Sequence, residues 1–130
     1  MSLRLDWNSS YQTGVELIDL QHHYFLDLIH RMESELCCTD DPHYIMNLLT
    51  ELVKYAQFHF VSEENFMYKI GYPELKNHRQ QHFTLLDQLN GKLGLFKESL
   101  LPAEDVIDFL KQWFVEHTLK EDMKIALAVR

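Results

Sequence analysis

Residues that break helices are scarce in this chain, and its prolines mark three places. The sequence has only 4 glycines and 3 prolines in 130 residues. Its three prolines are Pro42, Pro73 and Pro102. Pro42 follows two aspartates, and Pro73 is two residues after Gly71. Proline is tolerated in the first turn of a helix, aspartate caps a helix start, and glycine suits the left-handed position after a helix end. The three breaks therefore divide the chain into four long segments.

Each segment has the periodicity of a helix with one apolar face. The predicted helices run over about 18–38, 42–70, 74–97 and 103–128, and their apolar residues recur every three or four positions, as at Leu85, Leu89 and Leu93. Helices of about 20 to 28 residues are roughly 30 to 42 Å long, and short connections force neighbours to be antiparallel. We predict an all-α protein, an up-down-up-down antiparallel four-helix bundle forming one domain over 1–130, with residues 1–17 as an N-terminal arm.

The charge balance excludes several classes of partner. Lys and Arg number 12 against 20 Asp and Glu, a formal net charge of −8. A protein that neutralises phosphates or binds an anionic membrane surface needs the opposite sign, and no apolar run approaches the roughly 18 residues that span a bilayer. The N-terminus lacks the apolar segment of a signal peptide, and the adjacent Cys37 and Cys38 are expected to be reduced, buried or half-buried side chains. We expect a cytoplasmic protein with no nucleic-acid or membrane partner.

Histidine interrupts the apolar face of all four predicted helices. Of the 8 histidines, five occupy inward positions together with one glutamate: His22, His59, Glu63, His78, His82 and His117. The helix boundaries bring all of them to one end of the bundle. Burying these groups without partners would cost several kcal/mol for each charge, and metal ions relieve that cost. We expect the remaining histidines, and also Glu64, to face solvent. These histidines are His23, His30 and His43.

The set of potential ligands exceeds the needs of one ion. A structural zinc takes four ligands, and no cysteine joins this group. Imidazoles combined with carboxylates favour two transition-metal ions, of which iron fits best, over calcium or magnesium. The acid that completes the site on the fourth helix is ambiguous from periodicity. Glu121 is four residues after His117 and about 40° away around an α-helix, whereas Asp122 is five residues after it and about 140° away, which favours Glu121.

The order and spacing of these residues resemble those of hemerythrins, in particular the single-domain bacterial ones. The resemblance extends over nearly the whole chain. It rests on Gly14-Val15 followed by Ile18-Asp19-Leu20-Gln21-His22, on His59-Phe60-Val61-Ser62-Glu63-Glu64 with Met67, on Gly71-Tyr72-Pro73 followed by His78 and His82, and on Trp113 followed by His117 and Asp122.

The resemblance implies a non-haem di-iron site with an oxo or hydroxo bridge that binds O2 reversibly. By position, one iron would be held by His78, His82 and His117 and the other by His22 and His59, with Glu63 and Asp122 bridging both. The resemblance thus selects Asp122 over Glu121. It also implies an O2 pocket with apolar walls formed by Phe25, Phe60, Trp113 and Leu119. Thr118 departs from the aliphatic residue common in the family and brings a hydroxyl near the site.

Three functions share these features. The first is carriage, storage or delivery of O2, with an unidentified recipient. The second is sensing of O2 or redox state for a signalling partner. The third is a di-iron peroxidase, ferroxidase or nitric oxide-handling enzyme. Ferritin-like oxidases use Glu-x-x-His pairs, whereas this chain has His-x-x-x-Glu and His-x-x-x-His, so the enzymatic function is the least favoured and we expect a binding protein.

Overall fold

The protein is described by a computed structural model covering residues 6–129. Residues 1–5 of the predicted arm, and Arg130, lie outside the described residues. The structure consists of helices α1 (Glu16–Leu36), α2 (Pro42–Lys69), α3 (Leu75–Lys97), α4 (Ala103–His117) and α5 (Met123–Ala128), with no strand between residues 6 and 129. The prediction of an all-α four-helix bundle is confirmed, and α1 begins two residues earlier than expected.

The helix boundaries follow the residues that predicted them. The Asp41 side chain accepts a hydrogen bond from the backbone N–H of His43 at 3.0 Å, which caps α2, and Pro42 occupies the first helical position. Gly71 has φ of 68°, in the left-handed region, just after α2 ends. The connections 37–41, 70–74 and 98–102 are five residues each, so successive helices run antiparallel.

Each long helix packs on two others, and the centre of the bundle is apolar. Helices α1 and α3 both pack against α2 and against α4. The main core is formed by Leu, Ile, Val, Phe and Met side chains from all four helices, including Ile29, Met32, Leu52, Leu89 and Leu110, none more than 1% exposed. A second, smaller apolar cluster, Val15, Ile18, Met67, Tyr72 and Ile125, lies at the end where α2 meets α3.

The described part of the arm contacts the bundle through aromatic rings and through hydrogen bonds to one carboxylate. Tyr11 is buried, and its ring centroid is 5.8 Å from that of Phe114 on α4. The Asp19 carboxylate of α1 accepts the backbone N–H of Thr13 at 2.8 Å and that of Gly14 at 3.0 Å. These contacts hold the arm across the end of the bundle that carries the second apolar cluster.

The last helical segment differs from the prediction of one continuous helix. After α4 ends at His117, residues Thr118–Asp122 form a π-helical turn, and α5 follows directly. A π-helix bonds residue i to i+5 rather than i+4, so it carries one more residue per turn than an α-helix. The expectation of regular α-helix over 103–128 was therefore wrong at this turn.

Two further features concern the surface. Cys37 and Cys38 are free thiols and both are exposed, so the expectation that they are buried or half-buried was wrong. They follow the last turn of α1 and lie outside its packed face. Among the described residues, none of the helices combines the length and the apolar character needed to cross a bilayer.

Candidate metal centre

Seven ionisable side chains from four helical segments meet inside the bundle. Each is no more than 6% exposed: His22, His59, Glu63, His78, His82, His117 and Asp122. His22 lies near the start of α1, His59 and Glu63 near the end of α2, and His78 and His82 near the start of α3. Because the helices alternate in direction, these positions fall at one end of the bundle, as the helix boundaries predicted.

Three of the imidazoles form one group around Glu63. Its Oε1 atom is 2.8 Å from Nε2 of His78 and 3.2 Å from Nε2 of His82. The Nε2 atoms of His78 and His117 are 3.1 Å apart. Two nitrogen ligands at about 2.1 Å from one ion and at right angles would be separated by about 3.0 Å, so the spacing suits a shared ion.

The other two imidazoles form a second group on the opposite side of the same carboxylate. The Oε2 atom of Glu63 is 3.3 Å from Nε2 of His59 and 3.6 Å from Nε2 of His22. The ring centroids of His22 and His59 are 4.7 Å apart. Ligand atoms of Glu63, His78, His82 and His117 lie within 4.8 Å of one another, as do those of His22, His59 and Glu63.

Asp122 divides its two oxygens in the same way. Its Oδ1 atom is 3.1 Å from Nε2 of His78 and 3.1 Å from Nε2 of His117, whereas its Oδ2 atom is 3.1 Å from Nε2 of His22. Both carboxylates therefore present one oxygen to the three-histidine group and the other oxygen to the two-histidine group. This arrangement can bridge two ions.

The π-helical turn explains why Asp122, and not Glu121, lies in the site. In a regular α-helix, Glu121 would be the residue that returns to the face of His117. Residues Thr118–Asp122 wind more widely, so the fifth residue after His117 returns to its face instead. Glu121 is half-buried, and its carboxylate lies 3.3 Å from Nζ of Lys124 at the surface. Helical periodicity alone could not have identified Asp122, because it assumes a constant turn angle.

Two residues outside this set of seven hold imidazole rings, and both were missed as functional residues from the sequence. Nδ1 of His59 is 2.7 Å from Oε1 of Gln21, and Nδ1 of His82 is 2.8 Å from Oε2 of Glu64. The expectation that Glu64 is a solvated surface residue was wrong, since its side chain is 17% exposed and faces His82. Both residues belong to the segments that carry the family resemblance, with Gln21 directly before His22 and Glu64 directly after Glu63, and this position is the signal that could have identified them.

Aromatic rings enclose the site on the side of each histidine group, and Phe60 contacts both groups, since its ring centroid is also 5.7 Å from that of His59. Phe60 stacks on His82 with centroids 4.0 Å apart, and Trp113 stacks on His117 at 4.2 Å. On the two-histidine side, the Phe114 ring lies 5.4 Å from that of His22, and Phe25 lies 6.3 Å from His59. Phe114 was missed from the sequence, although it follows Val106 and Leu110 at helical spacing.

The remaining residues predicted near the O2 pocket, Thr118 and Leu119, differ in their exposure to solvent. Thr118 is 1% exposed and lies in the π-helical turn next to His117, so its hydroxyl is inside the protein. Leu119 is 41% exposed, so the expectation that it forms an apolar wall was wrong. It is two residues after His117, a spacing that places it on the opposite side of a helix. Of the three histidines expected at the surface, His23 and His43 are exposed and His30 is half-buried.

The carboxylates shift the pKa values of the imidazoles that face them. Burial alone would lower the pKa of His22, but its contacts with Asp122 and Glu63 outweigh burial and raise that pKa to about 9. The same balance raises the pKa of His78 to about 9. At His59 burial dominates, and the pKa is lowered. Burial would raise the pKa of Glu63, yet four neighbouring imidazoles lower it well below its usual range.

The residues fit a pair of metal ions. Besides Nδ1 of His22, three buried atoms of the site make no hydrogen bond within the described part of the chain: Nε2 of His82, Oε2 of Glu63 and Oδ1 of Asp122. Each has an ionisable neighbour within 3.3 Å but lacks hydrogen-bond alignment. Five imidazole nitrogens with two carboxylates are a donor set typical of transition metals, and a cation would satisfy all three unpartnered atoms.

Comparison with known proteins agrees with this site. The hemerythrin HHE cation-binding domain matches residues 13–128. A bacteriohemerythrin of Clostridium acetobutylicum is 25% identical over 124 residues, covering 89% of this chain and 94% of the relative. A hemerythrin-like protein of Naegleria gruberi is 28% identical over 119 residues, covering 92% of this chain and 88% of the relative.

The fold gives the same result. A crystal structure of wild-type hemerythrin superposes with a TM-score of 0.85 at 25% identity, covering 97% of this chain and 98% of that one. The family's domain thus spans the arm after residue 12, all four long helices and the π-helical turn. On the sequence match, the fold and the buried cluster of histidines and carboxylates, this chain belongs to the hemerythrin family.

Proposed function

We propose that this chain holds two iron ions among its seven buried side chains and binds O2 reversibly, as a protein of oxygen carriage, storage or delivery. The observation that carries the proposal is the division of both carboxylates between two histidine groups. One oxygen of Glu63 and one of Asp122 face His78, and the other oxygens face His22. A carboxylate placed in this way suits a bridge between two ions.

The two ions would have unequal sets of protein ligands. His78, His82 and His117 would hold one iron, and His22 and His59 the other, with Glu63 and Asp122 shared between them. The second iron would have one histidine fewer, which would leave it a position for a small ligand, as in metal sites that keep an open coordination position.

A reduced iron pair, when bound, supplies the electrons with which O2 is held reversibly. The chain's own part is to orient the ligands and to exclude water. Phe25 and Phe114, each no more than 1% exposed, pack around the two-histidine group. Apolar walls of this kind admit a small apolar molecule while denying water a hydrogen-bonding partner. We therefore expect the small ligand to enter on the side of His22 and His59.

Iron loading and O2 exposure test the proposal directly. The metal-free protein is loaded with Fe²⁺ under anaerobic conditions, its iron is quantified, and absorption is followed as O2 is added and removed. We expect two irons per chain and a charge-transfer band that appears with O2 and disappears when O2 is removed. His22→Ala should lose the band, whereas His43→Ala, which removes an exposed histidine, should retain it. One iron per chain, or no reversible band, would contradict the proposal.

Carriage and sensing use the same site but differ in what O2 does to the surface. Hydrogen exchange of the loaded protein, with and without O2, separates them. For carriage, we expect changes confined to the ends of α1 to α4 that hold the site. Changes that extend to exposed residues at the opposite end would instead support sensing. Steady consumption of peroxide by the loaded protein would support the enzymatic alternative.

A further inference from the structure

Two of the five imidazoles have a side-chain partner on Nδ1, the ring nitrogen that does not face Glu63, and the two partners differ in charge. Nδ1 of His82, in the three-histidine group, lies 2.8 Å from a carboxylate oxygen of Glu64. Nδ1 of His59, in the two-histidine group, lies 2.7 Å from the side-chain oxygen of Gln21. The two contacts are of similar length, so they differ mainly in the charge of the acceptor.

Glu64 determines the orientation and protonation of His82. An ionised carboxylate only accepts hydrogen bonds, so Nδ1 of His82 carries the proton, and in the neutral ring that binds a metal the lone pair is on Nε2, which faces the site. Arg79 donates from Nε to the other oxygen of Glu64 at 3.2 Å, which holds the carboxylate in place. A negatively charged acceptor strengthens the ring as a metal ligand, because it stabilises positive charge that develops on the imidazole.

Gln21 holds His59 without adding charge. Its amide nitrogen donates to Oγ of Ser62 at 2.9 Å, which leaves the amide oxygen for His59. The other ring of the two-histidine group has even less support, since Nδ1 of His22 is buried and makes no hydrogen bond to any residue in 6–129. Neither ring of this group therefore has a charged acceptor on its outer nitrogen.

We propose that Glu64 and Gln21 are positioning residues that make the two metal positions electronically unequal. Glu64 makes His82 a stronger donor, so the three-histidine position binds its ion more tightly and favours the higher oxidation state. Gln21 keeps His59 a weaker donor, so the two-histidine position stays easier to reduce. This inference rests on the two-metal site of the proposed function and names the residues that differentiate its two halves.

Titration with Co²⁺ alone, without O2, tests the inference. Glu64→Gln keeps the shape and a hydrogen-bonding oxygen but removes the charge, and Gln21→Glu does the reverse on the other side. We expect Glu64→Gln to weaken the tighter of two Co²⁺ equivalents by about 10- to 100-fold and Gln21→Glu to tighten the weaker one. Glu51→Gln is the matched control, because Glu51 also pairs with an arginine, Arg31, but at the exposed surface.

Reduction potentials of the iron-loaded protein provide a second measurement that a purely structural role would not move in this pattern. Glu64→Gln should raise the potential of one iron, and Gln21→Glu should lower that of the other, while Glu51→Gln changes neither. Thermal unfolding of the metal-free variants checks that each is folded. Unchanged Co²⁺ affinities and potentials in folded Glu64→Gln would overturn the inference. Binding of fewer than two Co²⁺ by the wild type would overturn the proposed function as well, and it is recognised without any variant.

Discussion

Where α1 ends and α2 begins, the four long helices meet through side chains such as Met32, Leu48, Leu93 and Val106. At the other end, the same helices meet through five imidazoles and two carboxylates. The apolar end is stabilised by removal of surface from water, which needs no partner. The polar end buries charges whose desolvation opposes folding, and that cost is offset only through their mutual contacts. One end is therefore suited to holding the bundle together and the other to binding metal.

Removing a shared carboxylate should disrupt the polar end most strongly. Asp122→Ala takes away oxygens that lie 3.1 Å from His22, His78 and His117. We expect it to bind fewer than two Co²⁺ per chain in a spectroscopic titration. Glu121→Ala is the adjacent control and should bind two. Full loading of Asp122→Ala would show that this carboxylate is not a ligand.

A cavity in the apolar end should have the complementary effect. Leu89 lies two helical turns beyond His82 on α3 and is fully buried. Leu89→Ala should lower the free energy of unfolding of the metal-free protein by about 2 to 5 kcal/mol. Urea unfolding measures this change, and Leu100→Ala, at a leucine that is 67% exposed, should stay within about 0.5 kcal/mol of wild type. If Leu89→Ala also loses metal stoichiometry while folded, the two ends are not separable.

A change of pH should move the stability of the metal-free protein and its metal affinity in opposite directions. The pKa values of His22 and His78 are raised to about 9 in the folded protein, against about 6.5 in an unfolded chain. Their ion pairs therefore stabilise the fold fully below about pH 6.5, and this stability is lost as the pH rises through about 9.

Between pH 7 and 9 we expect the free energy of unfolding of the metal-free protein to fall and the affinity for Co²⁺ to rise, because the metal competes with these protons. The effect should be smaller than that of Leu89→Ala, since burial of the charges offsets much of their pairing. Urea titrations across this range measure the first trend and Co²⁺ titrations the second. His22→Gln should make both trends shallower, because only His78 then retains a raised pKa, and trends of the same sign would refute the assignment.

The smallest expected effect concerns one hydroxyl at the polar end. Thr118 is buried beside His117, and a hydroxyl can donate a proton inside a site from which water is otherwise excluded. Thr118→Val keeps the side-chain shape, and it should lengthen the time over which the O2-loaded absorption band decays to the oxidised form. Thr84→Val, at an exposed threonine, should not change the decay. Equal or faster decay in Thr118→Val would remove this role for the hydroxyl.

Much of the fold could be predicted because few residues carried conflicting signals. Pro42, Gly71 and Pro102 separate the segments, and leucines at helical spacing identify the inner faces. The position of each break relative to the histidines was also sufficient to predict that the site lies at one end of the bundle. These signals are local, and they depend on regular helical geometry.

What could not be predicted depends on departures from that geometry or on contacts between helices. The π-helical turn changes the direction of the residues after His117, which is why periodicity favoured Glu121. Leu119 was expected in the pocket from the family resemblance alone, and its 41% exposure contradicts that expectation. Glu64 was assigned to solvent from its angle on α2 alone. Its partners, His82 and Arg79, come from α3, and a single helix gives no information about the neighbour that will cover it.

The π-helical turn also determines how this chain can change in length. Residues Thr118–Asp122 contain one residue more than an α-helical turn would need to return from His117 to the site. Deleting the exposed Lys120 would leave the aspartate four residues after His117, at the spacing that a regular α-helix brings back to the same face. Ile125 and Ala126, buried on α5, would keep their spacing from that aspartate. This turn is thus a place where a single-residue deletion can be absorbed with little change in the proposed ligand set, whereas a deletion within α2 or α3 would rotate one proposed ligand away from the others.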